Sequence, residues 1–188
     1  MKHSVVQLLT ENPHLLEPIV DQRDPWAGTP YAGYLACSNS TKGMEFGEPV
    51  IAKYMETYLD SSVNRDRSSS DDHDMMIDSY RVECKFGLAQ VQKKKMGAIL
   101  PLVDNFTFNH FAKCKKWDRA IVFGINREEH LNRLMWFKKE DWVYYIENIN
   151  EHENAFSVGQ KEADDYMVHG PRQVERLRRQ SWVYDIND

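Results

Sequence analysis

The chain has 188 residues and a formal net charge of −5, and because 41% of its residues are hydrophobic it can bury a substantial core as one domain. It has no apolar run of the roughly 18 residues that a membrane helix needs and no basic-then-apolar signal. The composition therefore favours a soluble cytoplasmic protein with no membrane partner. The cysteines Cys37, Cys84 and Cys114 are scattered, which argues against a disulfide framework and a zinc site.

The first 42 residues are predicted to form a cap and a loop. Residues 4–10 and 14–20 are typical of short helices separated by a proline, and residues 24–42, rich in Gly, Pro, Tyr and Ser, are typical of a loop. We divide the single domain into an N-terminal cap and loop (1–42), a catalytic core (43–149) and a C-terminal extension (150–188).

A helix is predicted over residues 47–59. Its apolar side chains recur at spacings of three and four, which places them on one face and predicts that this face packs against the core. They are Val50, Ile51, Tyr54, Met55 and Tyr58.

Residues 74–86 are predicted to form a β-hairpin, because two apolar runs flank a polar tip at residues 78–80. Alternation along the second strand places Glu83 and Lys85 on one face. A turn at residues 79–80 would set Asp74 opposite Lys85, and a turn at residues 78–79 would set it opposite Glu83. Either turn places all three on one face, whereas a three-residue loop would separate them.

An acid beside Glu-x-Lys suggests hydrolysis of phosphodiester bonds with the help of a metal ion. Two neighbouring carboxylates suit Mg²⁺, which prefers oxygen ligands. The ion would polarise the phosphate, and the ammonium of Lys85 would hold the phosphate or the attacking water. The alternative is a solvated charged face on a structural protein, which would show no nuclease activity. Asp71, Asp72 and Asp78 compete with Asp74, which parity and its distance from the turn favour.

The rest of the core is predicted from periodicity. Residues 97–104 are typical of a linker or short strand. Cys84 is predicted to be a small buried residue. The other predicted elements are a helix at 107–116, strands at 120–125 and 133–138, and an exposed helix at 140–149 that carries Trp142, Tyr145 and Ile146.

Basic residues cluster at two places despite the net negative charge, and either cluster could contact phosphate in a salt-sensitive manner. The first cluster follows the Glu-x-Lys strand and the second lies near the C-terminus. For the second cluster, the alternative to phosphate contact is a basic helix that is solvated or paired with Glu175. The predicted DNA-binding residues are Lys93, Lys94, Lys95, Arg172, Arg176 and Arg179.

The C-terminal extension leaves two questions open. His169 lies in a predicted turn, and a surface residue is the simpler interpretation than a base contact. Trp182 and Tyr184 could pack the tail onto the body or form a dimer seam.

The order and spacing of these motifs resemble the PD-(D/E)xK nuclease superfamily over residues 24–142. Residues 43–55 resemble its first core helix, with Glu48 as the acid near the metal, and the hairpin supplies Asp74 and the Glu83-x-Lys85 strand. Residues 106–111 and 117–125 resemble later elements of restriction-type members. The residue before Asp74 is not proline, and Asn109 and His110 stand where relatives often have Gln.

The resemblance implies an α/β fold with a restriction-endonuclease-like core, a central mixed sheet of about four to five strands flanked by helices. It implies a Mg²⁺-dependent endonuclease acting on double-stranded DNA, with Mn²⁺ as a substitute ion. Asp74 and Glu83 would bind the metal, Lys85 would position the nucleophile and Glu48 would assist. The resemblance also implies a homodimer that cuts both strands, since one site in each chain handles one strand. The alternatives are a phage or mobile-element nuclease acting on branched DNA and a non-catalytic DNA-binding module.

Overall fold

The computed structural model describes residues 5–12, 43–66, 72–89, 105–126, 131–160 and 164–186. The helices in these ranges are α1 (Val5–Glu11), α2 (Glu48–Leu59), α3 (Lys139–Tyr145), α4 (Glu151–Glu153) and α5 (Gly170–Arg178). Single π-helical segments, Gly43–Gly47 and Ile146–Asn150, precede α2 and follow α3. The strands are β1 (Val63–Asn64), β2 (Met75–Ile77), β3 (Tyr80–Leu88), β4 (Thr107–Phe108), β5 (Arg119–Asn126), β6 (Leu131–Lys138), β7 (Ser157–Gln160), β8 (Asp165–His169) and β9 (Tyr184–Asp185).

The main sheet is mixed and has six strands in the order β1-β2-β3-β5-β6-β9. Strands β3 and β5 are parallel, and the other neighbours are antiparallel. A second sheet has the order β4-β8-β7. The predicted α/β class and mixed sheet are therefore confirmed, but the strand number is larger than four to five. The two edge strands β1 and β9 are each two residues long, too short to leave a periodic pattern in the sequence.

Both faces of the main sheet are covered by apolar side chains. On one face α1 and α2 pack on Val82, Ile121, Phe123 and their neighbours. On the other face an aromatic cluster includes the fully buried Phe108 and Trp142. This double coverage explains why β5 is an almost continuous apolar run rather than an alternating one.

Helix α2 forms where the sequence predicts it. Pro49 lies in its first turn, where the missing amide hydrogen costs nothing, and its predicted apolar face packs against the sheet. Asp60 ends the helix in a left-handed conformation, with φ of 52°, and its amide returns to the carbonyl of Met55. Helix α2 thereby fixes Glu48 at its N-terminal end.

The predicted helix over residues 107–116 is wrong. Thr107 and Phe108 instead form β4, pairing with His169 and Val168 of β8, and the chain then runs irregularly to residue 118. Phe106 and Phe108 are both fully buried on either side of Thr107, which is the alternation of a strand. The paired residues of β8 lie about sixty positions further along the chain, so local periodicity did not reveal the pairing.

The helix predicted over residues 140–149 exists as α3 and the π-helical segment after it, but it is not exposed as predicted. Trp142, Tyr145 and Ile146 are all buried. Residues beyond 149 supply the covering layer, since Trp182 packs against Phe137, Trp142 and Tyr145. Of the two roles considered for Trp182, the structure therefore shows packing onto the body.

Several predictions lie outside the described residues. They concern the helix at 14–20, the loop at 24–42, the segment at 97–104, Cys37, Asp71 and the lysines at 93–95. Within the described ranges, helices are too short or too polar to cross a membrane.

Candidate active site

The hairpin is confirmed, with β2 and β3 joined by a two-residue turn at Asp78 and Ser79. Its register pairs Met75 with Val82 and Ile77 with Tyr80. Asp78 adopts a left-handed conformation, with φ of 54°, and its Oδ1 accepts a hydrogen bond from the amide of Ser62 at 2.9 Å. The carboxylate of Asp78 therefore stabilises the turn and β1, and it lies at the far tip of the hairpin.

Asp74 directly precedes β2 and lies against the Glu-x-Lys strand. Continuing the register by one residue sets it level with Glu83, as one of the two predicted turns requires. Its amide donates to the carbonyl of Val82 at 2.9 Å, and its Oδ2 accepts from the amide of Cys84 at 2.7 Å. These bonds replace the regular ladder here and fix the carboxylate next to β3. Asp72, a competing acid, is exposed.

Glu83 is fully buried, which distinguishes it from a residue on a solvated face. Its Oε1 accepts hydrogen bonds from the ammonium groups of Lys85 and of Lys115, the latter at 3.0 Å. Its Oε2 is buried, and among the residues that the structure describes it has no hydrogen-bond partner. A buried ionised carboxylate is costly unless it is paired. Both lysines contact Oε1 of Glu83, so its Oε2 is the oxygen that can accept a bond from a ligand.

Lys115 is a site residue that the sequence did not indicate, because it fell within the wrongly predicted helix. Partial burial acts to lower the pKa of Lys115, but attraction to Glu83, the hydrogen bond to Glu83 and the charges of Asp74 and Asp165 together raise it. Lys115 therefore stays protonated at neutral pH. A run of lysines, Lys113, Lys115 and Lys116, was the available signal.

Cys84 lies on the opposite face of β3 from Glu83, as predicted, and packs against the core that includes α2, but it is half-buried rather than buried. Burial raises the pKa of its thiol well above the ordinary value, and Asp74, Glu48 and Glu83 act in the same direction against the opposing effect of Lys85. The thiol is protonated and unreactive at neutral pH.

Glu48 is buried at the first position of α2. Its Oε2 lies 4.0 Å from the guanidinium of Arg65, which also donates to the carbonyl of Met44 at 3.1 Å. A carboxylate at this end of a helix is favoured by the helix dipole. Glu48 therefore has a structural partner as well as an electrostatic effect on Cys84.

The predicted basic residues of α5 differ in their pairing. Arg176 contacts the carboxylate and carbonyl of Glu153, and Arg179 pairs with Glu175. Arg172 is exposed, and within the described residues its guanidinium has no carboxylate partner. All three line an open groove of about 720 Å³.

His110 and His169 occupy different settings. His169 precedes α5 and its Nδ1 lies 2.8 Å from Oγ1 of Thr107. His110 places its Nδ1 2.6 Å from Oδ2 of Asp165, which is buried. Asn109 is exposed. The pairing of His110 with Asp165 joins residues 55 positions apart and left no mark in the sequence.

The carboxylates present suit a hard divalent cation. In the described part of the chain, groups of three or more His, Cys, Asp or Glu residues arranged to hold a metal are absent. Mg²⁺, however, is commonly held by one or two carboxylates together with substrate phosphate and water. Asp74 and the unpartnered Oε2 of Glu83 fit that smaller requirement.

Searches of protein-family models and of curated protein sequences find no match to this chain.

Proposed function

We propose that the chain is a Mg²⁺-dependent endonuclease for double-stranded DNA, of the PD-(D/E)xK class and the sequence-specific restriction type. The observation that carries the proposal is the hairpin, which sets Asp74 against β3 beside the buried Glu83–Lys85 pair. A restriction-endonuclease-like core is part of the proposal, supported by a mixed sheet with helices α1 and α2 packed on one face.

Asp74 and Glu83 are the residues that would hold Mg²⁺ or Mn²⁺, with Glu48 assisting. When bound, the ion would stabilise charge on the phosphate and favour ionisation of a bound water. The buried Oε2 of Glu83 supports this assignment because it needs a partner.

Lys85 would position the attacking water or the phosphate. Its side chain is 14% exposed and is held by Glu83, so its ammonium has little freedom. Hydrolysis forms a bond from the water oxygen to phosphorus and breaks the bond from phosphorus to a sugar oxygen. The water loses a proton and the leaving oxygen gains one. Lys115, on the same carboxylate, maintains the charge balance of Glu83.

The partners follow from this chemistry. One site in each chain serves one strand, so cutting both strands of a duplex calls for a homodimer. Arg172 is the residue of the α5 groove best suited to a DNA phosphate, because Arg176 and Arg179 already pair with carboxylates. Cytoplasmic DNA is the substrate we propose.

The test is cleavage of long unmethylated duplex DNA with Mg²⁺ or with EDTA. Asp74→Asn and Lys85→Ala should each lose about 100-fold or more of the activity. Asp78→Asn is the matched control, because it changes an acid of the same hairpin that faces the turn, and it should cleave normally. Discrete fragments that require Mg²⁺ would support a restriction enzyme.

Other outcomes discriminate the alternatives. Preferential cleavage of a four-way junction over linear duplex would identify a nuclease for branched DNA. Tight DNA binding without cleavage under any condition would instead identify a binding module. Equal activity of Asp74→Asn and wild type would refute the proposed site.

A further inference from the structure

The segment that carries Lys115 also carries a histidine that pairs with a carboxylate. Nδ1 of His110 and Oδ2 of Asp165 are 2.6 Å apart. The Asp165 side chain is 3% exposed and that of His110 is 55% exposed. The carboxylate therefore occupies the protein side of the imidazole, and Nε2 is the ring nitrogen left for a ligand.

The surroundings of this pair are costly for the fold. Within the described part of the chain the buried Oδ1 of Asp165 has no hydrogen-bond partner, and His110 has a φ of 67°, in the left-handed region. Buried unpartnered oxygens and left-handed non-glycine residues each cost free energy. Such features concentrate at functional sites, and a buried carboxylate that orients an exposed imidazole is a common arrangement for proton transfer.

The pair is joined to Glu83 through the segment that carries His110. The amide of Phe111 donates to the carbonyl of Tyr166 at 3.0 Å, which attaches the segment to β8. Five residues after His110, Lys115 contacts Oε1 of Glu83 at 3.0 Å. The charges of Glu83 and Asp165 both act on the Lys115 ammonium. One short segment thus connects the two carboxylates.

The charged groups on the elements around His110 include one carboxylate and three lysines. Asp165 on β8 contacts its ring directly. On its own segment, Lys113 is bound by Asp164 and Glu147, and Lys115 by Glu83. Lys113 and Lys115 are therefore each paired with a carboxylate, and Lys116 is exposed.

We propose that His110 is a catalytic residue of the proposed nuclease reaction, which donates the proton from Nε2 to the leaving sugar oxygen. As the bond from phosphorus to that oxygen breaks, the oxygen takes the proton and the imidazole becomes neutral, and a solvent proton then restores it. Asp165 is a positioning residue that holds the ring through Nδ1. This inference rests on the proposed function, in which Lys85 serves the attacking water and the leaving oxygen still needs a proton.

The experiment compares His110→Asn with His152→Asn, a matched control on α4. Asn tolerates the left-handed conformation at residue 110, so the backbone can be kept. Each variant and the wild type are assayed on duplex DNA cut at a mapped position, and on duplexes in which sulfur replaces the 3′- or 5′-bridging oxygen there. A thiolate leaves without protonation, so the sulfur substrate bypasses the proposed step.

We expect His110→Asn to lose about 100- to 1,000-fold on the oxygen substrate and to come within about 10-fold of wild type on one sulfur substrate. Asp165→Asn should show a smaller loss with the same rescue, and His152→Asn should match wild type on both. An equal loss on oxygen and sulfur substrates would indicate a structural role and overturn the inference.

Two other results separate this inference from the function on which it rests. Unchanged cleavage by His110→Asn, with activity lost in Lys85→Ala, would overturn the role of His110 and leave the nuclease intact. Absence of DNA cleavage by the wild type would overturn both.

Discussion

The pairing of Glu83 with both Lys85 and Lys115 leads us to a quantitative prediction about the stability of the fold. The Lys115 side chain is 38% exposed, so its ion pair with Glu83 resembles a surface salt bridge. Lys115→Met should therefore lower the free energy of unfolding by about 1 kcal/mol. The Lys85 side chain is 14% exposed, so Lys85→Met loses a charge-assisted bond in a drier setting and should cost about 2 kcal/mol.

The double variant tests whether the carboxylate is the cause. It leaves a fully buried Glu83 without either cation, for which a loss of about 4–5 kcal/mol is expected, more than the sum of the single variants. Adding Glu83→Gln should then restore at least about 2 kcal/mol, because the uncompensated charge is removed. Lys116→Met, which changes a lysine next to Lys115, is the control and should be nearly neutral.

The assay is urea unfolding followed by tryptophan fluorescence, with all variants at one pH and salt concentration. Two results would refute the reasoning. One is strict additivity of Lys85→Met and Lys115→Met. The other is further destabilisation when Glu83→Gln is added to the double variant. Either would mean that Glu83 is not an ion whose burial depends on these two lysines.

Three further perturbations have defined outcomes. Gly47→Ala would bring a Cβ within 2.5 Å of a phenylalanine side chain and should lower the free energy of unfolding in urea by about 1–3 kcal/mol. Gly43→Ala is the control, because the space around Gly43 is open, and it should not destabilise the protein. Equal effects of the two substitutions would contradict the packing at residue 47. The hydrogen bond from Arg81 holds the pKa of Asp118 below its ordinary value. The pair therefore stabilises the fold fully at pH values above the ordinary carboxyl pKa, and this stabilisation is lost as the pH falls through the lowered pKa of Asp118. Asp118→Asn should therefore lower the thermal midpoint at about pH 7 more than at about pH 3, and a pH-independent difference would refute this. If Arg172 contacts a DNA phosphate, Arg172→Ala should reduce the salt dependence of DNA binding by about one counterion, and an unchanged slope would exclude that contact.

Local patterns predicted the parts of the structure in which neighbours in sequence are neighbours in space. Helix α2 and the β2–β3 hairpin depend on spacings within about a dozen residues, and both form as expected. The sequence left two turn positions open for the hairpin, and the left-handed conformation of Asp78 accompanies the one adopted. Asp74, Glu83 and Lys85 were accessible to prediction because a hairpin is a local element.

Long-range partners explain what local patterns missed. Thr107 and Phe108 form a strand because β8 pairs with them, and the short alternation around Thr107 does not identify that partner. Lys115 reaches Glu83 across 32 positions, and His110 reaches Asp165 across 55. Side chains that meet through tertiary contacts carry no mark in the intervening spacing, so the second cation and the histidine pair required coordinates.

The parallel pairing of β3 with β5 also has a consequence for the order of folding. Antiparallel hairpins close within microseconds, but a parallel pair must wait for its crossover, which here spans the chain between Leu88 and Arg119. That crossover carries Lys115. The hairpin with Glu83 can therefore form early, while its second cation arrives only when the crossover docks. During synthesis Glu83 therefore has Lys85 beside it before Lys115 arrives, so the second of its two charge pairs forms after the first.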